Sequence, residues 1–368
     1  MIAIYSNNFI IDCYIKDLNL TGYQIYHSID QYLSAAADIK LAFVNHINNY
    51  NLPDDQEERI KQYTDGKYFS YEIDQLKAGS DQLFAFDNEM HPYHIDKIFS
   101  KHNQPNVFWA IPGQINDDTI IKRENIILWN QHFEMTSSGY RNMIDKLSNI
   151  QYNIPKPMFF DALLGAKRIH RDFVIDAVRK SNLQKKILLT YIKDHSVESF
   201  SELLWESDIE KSDLSFKRTT DMVCYNGEII ALCRIVPIQI YNQTAYSIVA
   251  ETGPDNRYSF FTEKTSKCIM GRRLFVMFSG ARFLENLRRI GFKTFDTVID
   301  ESYDQIVDNH HRWQAAFEQV KKLCEMDQSE VFEKIAPIVE HNYQLLMNTN
   351  WTHVMLNQVQ QKLILYQI

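Results

Sequence analysis

The stretch Tyr258–Phe275 reads YSFFTEKTSKCIMGRRLF, and everything else in the chain is best read outward from it. A short aromatic run leads into Thr262-Glu263-Lys264 and a small, mostly polar helix. The basic pair Arg272-Arg273 and the apolar strand Leu274–Phe278 come next, with Gly280 just beyond. A helix N-terminus together with an ammonium can hold a diphosphate, and a neighbouring carboxylate such as Glu263 can accept hydrogen bonds from a ribose diol. The competing reading is a solvated Glu-Lys pair at a helix start.

The flanking sequence has the same rhythm. Towards the C-terminus, Arg282–Ile290 reads as a helix closed by Gly291, where a C′ glycine belongs. From Tyr303 onward the pattern is almost continuous helix, broken near Asp327 and at Asn348-Thr349-Asn350. Core packing is the expected role of Trp313 and Trp351 there. Towards the N-terminus, Tyr246–Glu251 and Ile187–Tyr191 read as strands and His170–Ser181 as a helix. A small hairpin is expected around Asn226-Gly227, from Met222–Tyr225 and Ile229–Val236. In the first half, Ile2–Tyr5, Gln24–His27, Leu41–Asn45, Leu83–Phe86, Val107–Ile111 and Ile126–Trp129 are short apolar runs bounded by turn residues, as strands are. Helical patterns such as Ile29–Ala36 and Pro92–Lys101 lie between them. Strand and helix in alternation predict mostly parallel sheets with helices on their faces. The proline-marked stretch Asn153–Pro157 is the expected domain break. The expectation is thus an α/β protein with Rossmann-like domains over 1–152 and 153–305 and C-terminal helices over 306–368.

Composition narrows the class. The 368 residues suit two domains, and 45% hydrophobic with 23% charged residues is the make-up of a globular chain. The N-terminus lacks a basic stretch followed by a long apolar one, and no run of some 18 apolar residues occurs. Five scattered cysteines form no CxxC, which favours reduced thiols and a cytoplasmic location. The net charge of −8 is uneven. Residues 1–150 hold 12 Lys/Arg against 20 Asp/Glu, while the remainder holds 27 of each. An acidic first half repels a polyanion such as duplex DNA. With 11 glycines the chain has neither GxGxxG nor a P-loop, so a standard NAD or ATP site is unsupported.

The segment around Thr262-Glu263-Lys264 resembles the donor-site motif of GT-B-type glycosyltransferases, especially fucosyltransferase-like and exostosin-like enzymes. That motif runs as apolar residues, Ser/Thr-Glu-Lys, a helix, then an apolar strand ending in Gly. The run Leu284–Asp304, LENLRRIGFKTFDTVIDESYD, is similar to the stretch C-terminal to the motif in many such enzymes of bacteria and their viruses. The resemblance covers about Glu251–Asp304. It implies two Rossmann-like domains braced by C-terminal helices, with Lys264 and Glu263 gripping the nucleotide of a sugar-nucleotide co-substrate.

The remaining candidates are set by the needs of glycosyl transfer. The leaving nucleoside diphosphate must be stabilised, by a metal or by cations and helix dipoles. No Asp-x-Asp occurs; Asp54-Asp55 and Asp117-Asp118 are only adjacent pairs, so no metal is expected. The organic option uses Lys264, helped by Arg168, Arg171 and Arg272. A basic cluster opening a helix, Lys167–Arg171, is unfavourable for the helix dipole unless an anion compensates, and Arg grips diphosphate bidentately. A salt bridge to Asp172 or Asp176 is the alternative. Glu251 ends a strand, where open α/β sheets bind ligands, and is a candidate for the sugar or ribose beside Thr262. On the acceptor side, Asp87 and Glu89 come directly after a strand, and the related enzymes carry a Glu near a Pro in such a loop. Glu89, with Asp87 in reserve, is the candidate general base.

The reading is a metal-independent glycosyltransferase, moving a hexosyl or pentosyl group from a nucleotide sugar to a glycan or lipid-linked acceptor. Two alternatives are a viral DNA-modifying enzyme acting on a hydroxymethylated base and a non-catalytic nucleotide-sugar-binding protein.

Overall fold

The computed structural model describes residues 1–45, 71–86, 104–116, 125–165, 167–191, 222–225 and 227–364. The chain forms two compact units, Met1–Gln131 with Asn350–Ile368, and His132–Thr349. The sequence placed its break at the proline-marked stretch 153–157, which lies inside the second unit.

The first unit carries β1 (Ile2–Ser6), α1 (Phe9–Asp17), β2 (Tyr23–Tyr26), α2 (Ile29–Ser34), β3 (Ile39–Asn45), α3 (Tyr71–Gly79), β4 (Gln82–Phe86), β5 (Val107–Pro112) and β6 (Ile126–Trp129). All six strands expected from the sequence are present, within two residues at each end. They form one parallel sheet in the order β2-β1-β3-β4-β5-β6. The order reverses at β1, as in doubly wound folds. Register places Phe43, Phe84 and Phe108 side by side on three neighbouring strands, and their rings stack with centroids 4.9 Å apart at both contacts. These phenylalanines join Ile4, Ile11, Ile15 and Leu41 in a core that is completed from the other end of the sequence, by Met355, Leu356 and Val359.

The second unit contains α4 (Gln131–Arg141), β7 (Met158–Leu164), α5 (Ile169–Lys180), β8 (Ile187–Tyr191), a hairpin of β9 (Met222–Tyr225) and β10 (Glu228–Ala231), α6 (Ile238–Gln243) and β11 (Thr244–Ala250). It continues with α7 (Glu263–Met270), β12 (Phe275–Phe278), α8 (Phe283–Arg289), α9 (Asn309–Leu323) and α10 (Gln328–Asn348). Its sheet is also parallel, in the order β12-β11-β7-β8, and the order reverses between β7 and β11. The protein is therefore α/β with two Rossmann-like sheets followed by C-terminal helices. The last helix, α11 (Trp351–Lys362), belongs to the first unit. There Gln358 exchanges two hydrogen bonds with the backbone of Leu128 on the edge strand β6. An edge covered in this way cannot pair with another chain.

Capping side chains set the helix starts. Asn8, Thr262, Asp308, Asp327 and Asn350 each accept a backbone N–H of the first turn. Gly291, with φ of +98°, closes α8 in a Schellman arrangement: its N–H reaches the Arg288 carbonyl and that of Phe292 reaches Leu287. Asp304 caps the same helix from 20 residues away, accepting from Leu284 and Glu285 at 3.0 Å. Glu301 accepts from Arg288, Thr294 and the Phe295 N–H, so the run Leu284–Asp304 is locked onto itself.

One strand that the sequence does not announce is β7, at the centre of the second sheet. It carries Asp161 in its middle, only 3% exposed, and a buried carboxylate is tolerated only when paired and hydrogen-bonded. Arg273 supplies the pair at 2.6 Å, and Thr244 and Ser247 each donate a hydroxyl at 3.0 Å. The same guanidinium also reaches the carbonyls of Tyr241, Thr244 and Tyr246. Trp313 and Trp351 are buried, as expected. Among the described residues no helix is long and apolar enough to cross a membrane. The expected helix Pro92–Lys101, the polar stretch 196–220 and both Asp-Asp pairs lie outside the described residues.

Replacing Arg273 with Met should destabilise the protein by about 3–5 kcal/mol, because Asp161 is left buried and uncompensated. Urea unfolding of the variant checks this. Pairing Arg273→Met with Asp161→Leu should restore part of the loss, since the orphaned charge goes with its partner.

Candidate functional site

In a parallel sheet all carboxyl ends lie along one edge, and ligands bind where the strand order reverses. In the second unit that point is flanked by the ends of β7 and β11. The chain leaves β7 through Gly165 into α5, and leaves β11 through Glu251, Thr252 and Gly253. Next to β11, β12 ends in the turn Ser279-Gly280. A Cβ on Gly280 would collide with the Asp255 carbonyl, so only glycine allows these two loops to touch.

Glu251 is the centre of this edge. It is fully buried, and each carboxylate oxygen accepts two hydrogen bonds. Oε1 takes the Thr262 N–H at 3.2 Å and the Thr265 hydroxyl at 2.5 Å; Oε2 takes the Thr262 hydroxyl at 2.5 Å and the Thr252 N–H at 3.2 Å. An ionised carboxylate has about four acceptor sites, and all are used. Glu251 therefore positions its neighbours. It holds the first turn of α7 against the end of β11, and its own carbonyl anchors the start of α5. That carbonyl accepts from His170 Nε2 at 2.6 Å and from Arg171 at 3.4 Å.

Lys264 and Glu263 stand on the helix turn that Glu251 fixes. The Lys264 ammonium meets Glu263 Oε1 at 2.6 Å, Thr262 Oγ1 at 3.2 Å and Thr252 Oγ1 at 3.3 Å. The Thr262 hydroxyl proton is committed to Glu251, so its lone pairs are turned towards Lys264. Both charged side chains keep some exposure, 22% for Lys264 and 13% for Glu263. Burial acts to raise the Glu263 pKa, but the cations Lys264 and Lys267 outweigh it and hold the carboxyl well below its usual range.

Two histidines border the cluster, His170 from the basic run Lys167–Arg171 and His132 from α4. His170 is fully buried on the first turn of α5. Its Nε2 donates to Glu251, which leaves Nδ1 an enclosed acceptor with no hydrogen-bond partner. Burial, with the nearby charges of Arg171, Arg168 and Lys264, pushes its pKa down to about 3. His132 packs edge-on against Phe260, with centroids 4.9 Å apart. Burial lowers its pKa to about 4, with Glu263 opposing and Arg234 and Lys264 adding to the shift. Both imidazoles are thus neutral near pH 7. Neither has a sequence signature, because only the fold carries residues 132 and 170 to residues 251–264.

Of the residues singled out from sequence, Arg168, Arg171, Glu251, Thr262, Glu263 and Lys264 come together at this edge. Arg171 is 4% exposed and lies across the switch point, its Nη1 beside Gly165 and its Nη2 on the Ala250 and Glu251 carbonyls. Arg168 is the N-cap residue of α5 and more accessible. Arg272 stands apart. It lies just past the C-terminal end of α7, about 12 Å along the helix from Lys264 at 1.5 Å per residue, at the amino edge of the sheet. There it is sandwiched by Tyr152 and Tyr343, 4.8 and 3.5 Å from their ring centroids, and pairs with Glu340 at 2.6 Å. Its φ of +51° turns it out of the helix, and its role is to fasten α10. Asp87 and Glu89 lie outside the described residues. Among the described residues no group of three or more His, Cys, Asp or Glu side chains could hold a metal ion.

These contacts set two expected outcomes. Glu251→Gln places an amide N–H2 against donors, and each buried donor left unpaired costs about 1–3 kcal/mol. The variant should unfold at clearly lower urea, with its loss larger than that of Thr265→Val. The histidines give a pH dependence. Their folded pKa values lie below the ordinary 6.5, so below that pH the unfolded chain binds more protons. The histidines' contribution to stability is full above about pH 6.5 and is lost as pH drops towards 4 and then 3. In a series of urea titrations, His170→Gln should flatten this acid limb.

Protein-family models give no match to this sequence, and curated proteins give none either, so a functional reading rests on the geometry of this edge.

Proposed function

We propose that the carboxyl edge of the second sheet binds the diphosphate and ribose of a sugar nucleotide, and that the protein is a metal-independent, GT-B-type glycosyltransferase of the fucosyltransferase-like or exostosin-like kind. The observation that carries this reading is the Glu263–Lys264 pair. It is partly exposed, stands on the first turn of α7, and is fixed by a buried carboxylate beside the strand-order reversal. An ammonium there faces a diphosphate favourably, and a low-pKa carboxylate accepts hydroxyl donors. Arg168 and Arg171, gathered at the start of α5, add positive potential to the same edge.

In the proposed reaction an acceptor hydroxyl attacks the anomeric carbon, its C–O bond forms as the bond to the diphosphate oxygen breaks, and the hydroxyl proton passes to a base. Lys264 stabilises the charge growing on the leaving diphosphate, the task a metal performs elsewhere. Glu89, or Asp87, is the proposed base. The acceptor is proposed to be a glycan or its lipid-linked precursor, since the acidic first 150 residues disfavour a polyanion.

Thermal shift against a panel of nucleoside diphosphates and sugar nucleotides tests the donor reading, because a ligand of the folded state raises its apparent stability. At least one nucleoside diphosphate should protect the wild type. Lys264→Ala should abolish that protection while leaving ligand-free melting within a few degrees. Protection that survives Lys264→Ala would overturn the assignment. Hydrolysis of the sugar nucleotide without acceptor, slow but measurable, should persist in EDTA; a strict requirement for Mn²⁺ or Mg²⁺ would sink the mechanism.

A further inference from the structure

We propose that Glu263 is a built-in competitor for the anion subsite at Lys264, so that the site turns away bare phosphates and admits ligands that bring a diphosphate and a vicinal diol together. This rests on the sugar-nucleotide reading above and adds to it the means of selection. The Lys264 ammonium has three N–H donors and three acceptors, Glu263, Thr262 and Thr252, within 3.3 Å. The two threonines are neutral and tied to Glu251, Thr262 through its hydroxyl and N–H and Thr252 through its N–H. Glu263 is the one charged member of the set, and therefore the one that an anion displaces.

Displacement has a cost that depends on the ligand. An inorganic phosphate takes over Lys264 but offers an ionised Glu263 nothing in return, and a largely enclosed carboxylate stripped of its donor is expensive. A nucleotide supplies the missing donors at the same moment, through the two hydroxyls of its ribose. The exchange is then one ion pair and its hydrogen bonds for another of equal count. The surroundings are suited to it: Lys267 and Arg234 keep positive charge near Glu263 when Lys264 turns to the phosphate, and neutral His132 adds no charge to either state. Adjacent placement at 263 and 264 on the first helical turn lets both side chains turn outward without moving the backbone that Glu251 holds.

The test is calorimetric titration of the full chain with inorganic pyrophosphate, and with a nucleoside diphosphate that protects the wild type, in wild type and Glu263→Gln. Gln keeps the shape and removes the competing charge. Pyrophosphate should bind the variant at least about tenfold more tightly than the wild type. The ratio of nucleotide to pyrophosphate affinity should fall by a similar factor. Unchanged or weaker pyrophosphate binding overturns the proposal. So does a gain of the same size for both ligands, which loss of one negative charge gives by itself. Ligand-free melting shows that the variant is folded. Independently of it, the 2′,3′-dideoxy form of the nucleotide should bind the wild type no better than pyrophosphate, and equal affinity for the ribo and dideoxy forms overturns selection by the diol. If pyrophosphate gains as stated while no nucleoside diphosphate binds the wild type, the competitor stands and the nucleotide reading is the part that fails.

Discussion

A single buried carboxylate organises the working edge of the second unit. Glu251 sits at the end of a central parallel strand, where water cannot solvate it, and a charge in that position is tolerable only with every lone pair occupied. The donors that satisfy it come from the segments that need to be placed: the loop after β11 and the first turn of α7 bind its side chain, and the start of α5 binds its carbonyl. The requirement to occupy the lone pairs of one buried carboxylate therefore fixes the helix turn that carries Lys264. A looser edge with a solvated Glu251 would leave the ammonium free to wander on its four-carbon stem.

The same physics fixes the interior of that sheet. Asp161 in β7 and Arg273 just before β12 form an ion pair that crosses β11 and ties three strands together through Thr244 and Ser247. Arg273 and its neighbour Arg272 look alike in sequence but meet different ends. One is buried on carboxylate and carbonyl oxygens, the other is stacked between two tyrosine rings. Both are held within the fold, at the edge opposite Lys264.

The Lys264 cation is satisfied from within, by Glu263 and two threonine hydroxyls. Internal satisfaction keeps a partly enclosed lysine from costing stability, and under the proposed sugar-nucleotide reading selectivity would rest on what the incoming molecule offers the displaced carboxylate.

The sequence by itself determined the class of fold and the chemistry of the central motif. Short apolar runs with period and length of buried strands, separated by capped helices, leave few arrangements other than parallel α/β layers. Accordingly the six strands of the first sheet and the helix beginning at Glu263 were legible. Thr262-Glu263-Lys264 was legible too, because a cap, an acid and a base in a row are local features. Tertiary structure alone decided the rest. The strand β7 escaped notice since Asp161 breaks its apolar run, and the compensating Arg273 is 112 residues away. Arg272 was read as a phosphate ligand, yet an α-helix of eight residues carries it to the far edge of the sheet. His170 and His132 carry no local signal, and the four donors that occupy the Glu251 carboxylate, up to 14 residues distant, are brought to it by the fold. Local order fixes which groups a segment offers; which of them remain available to a ligand depends on the partners that folding brings to each one.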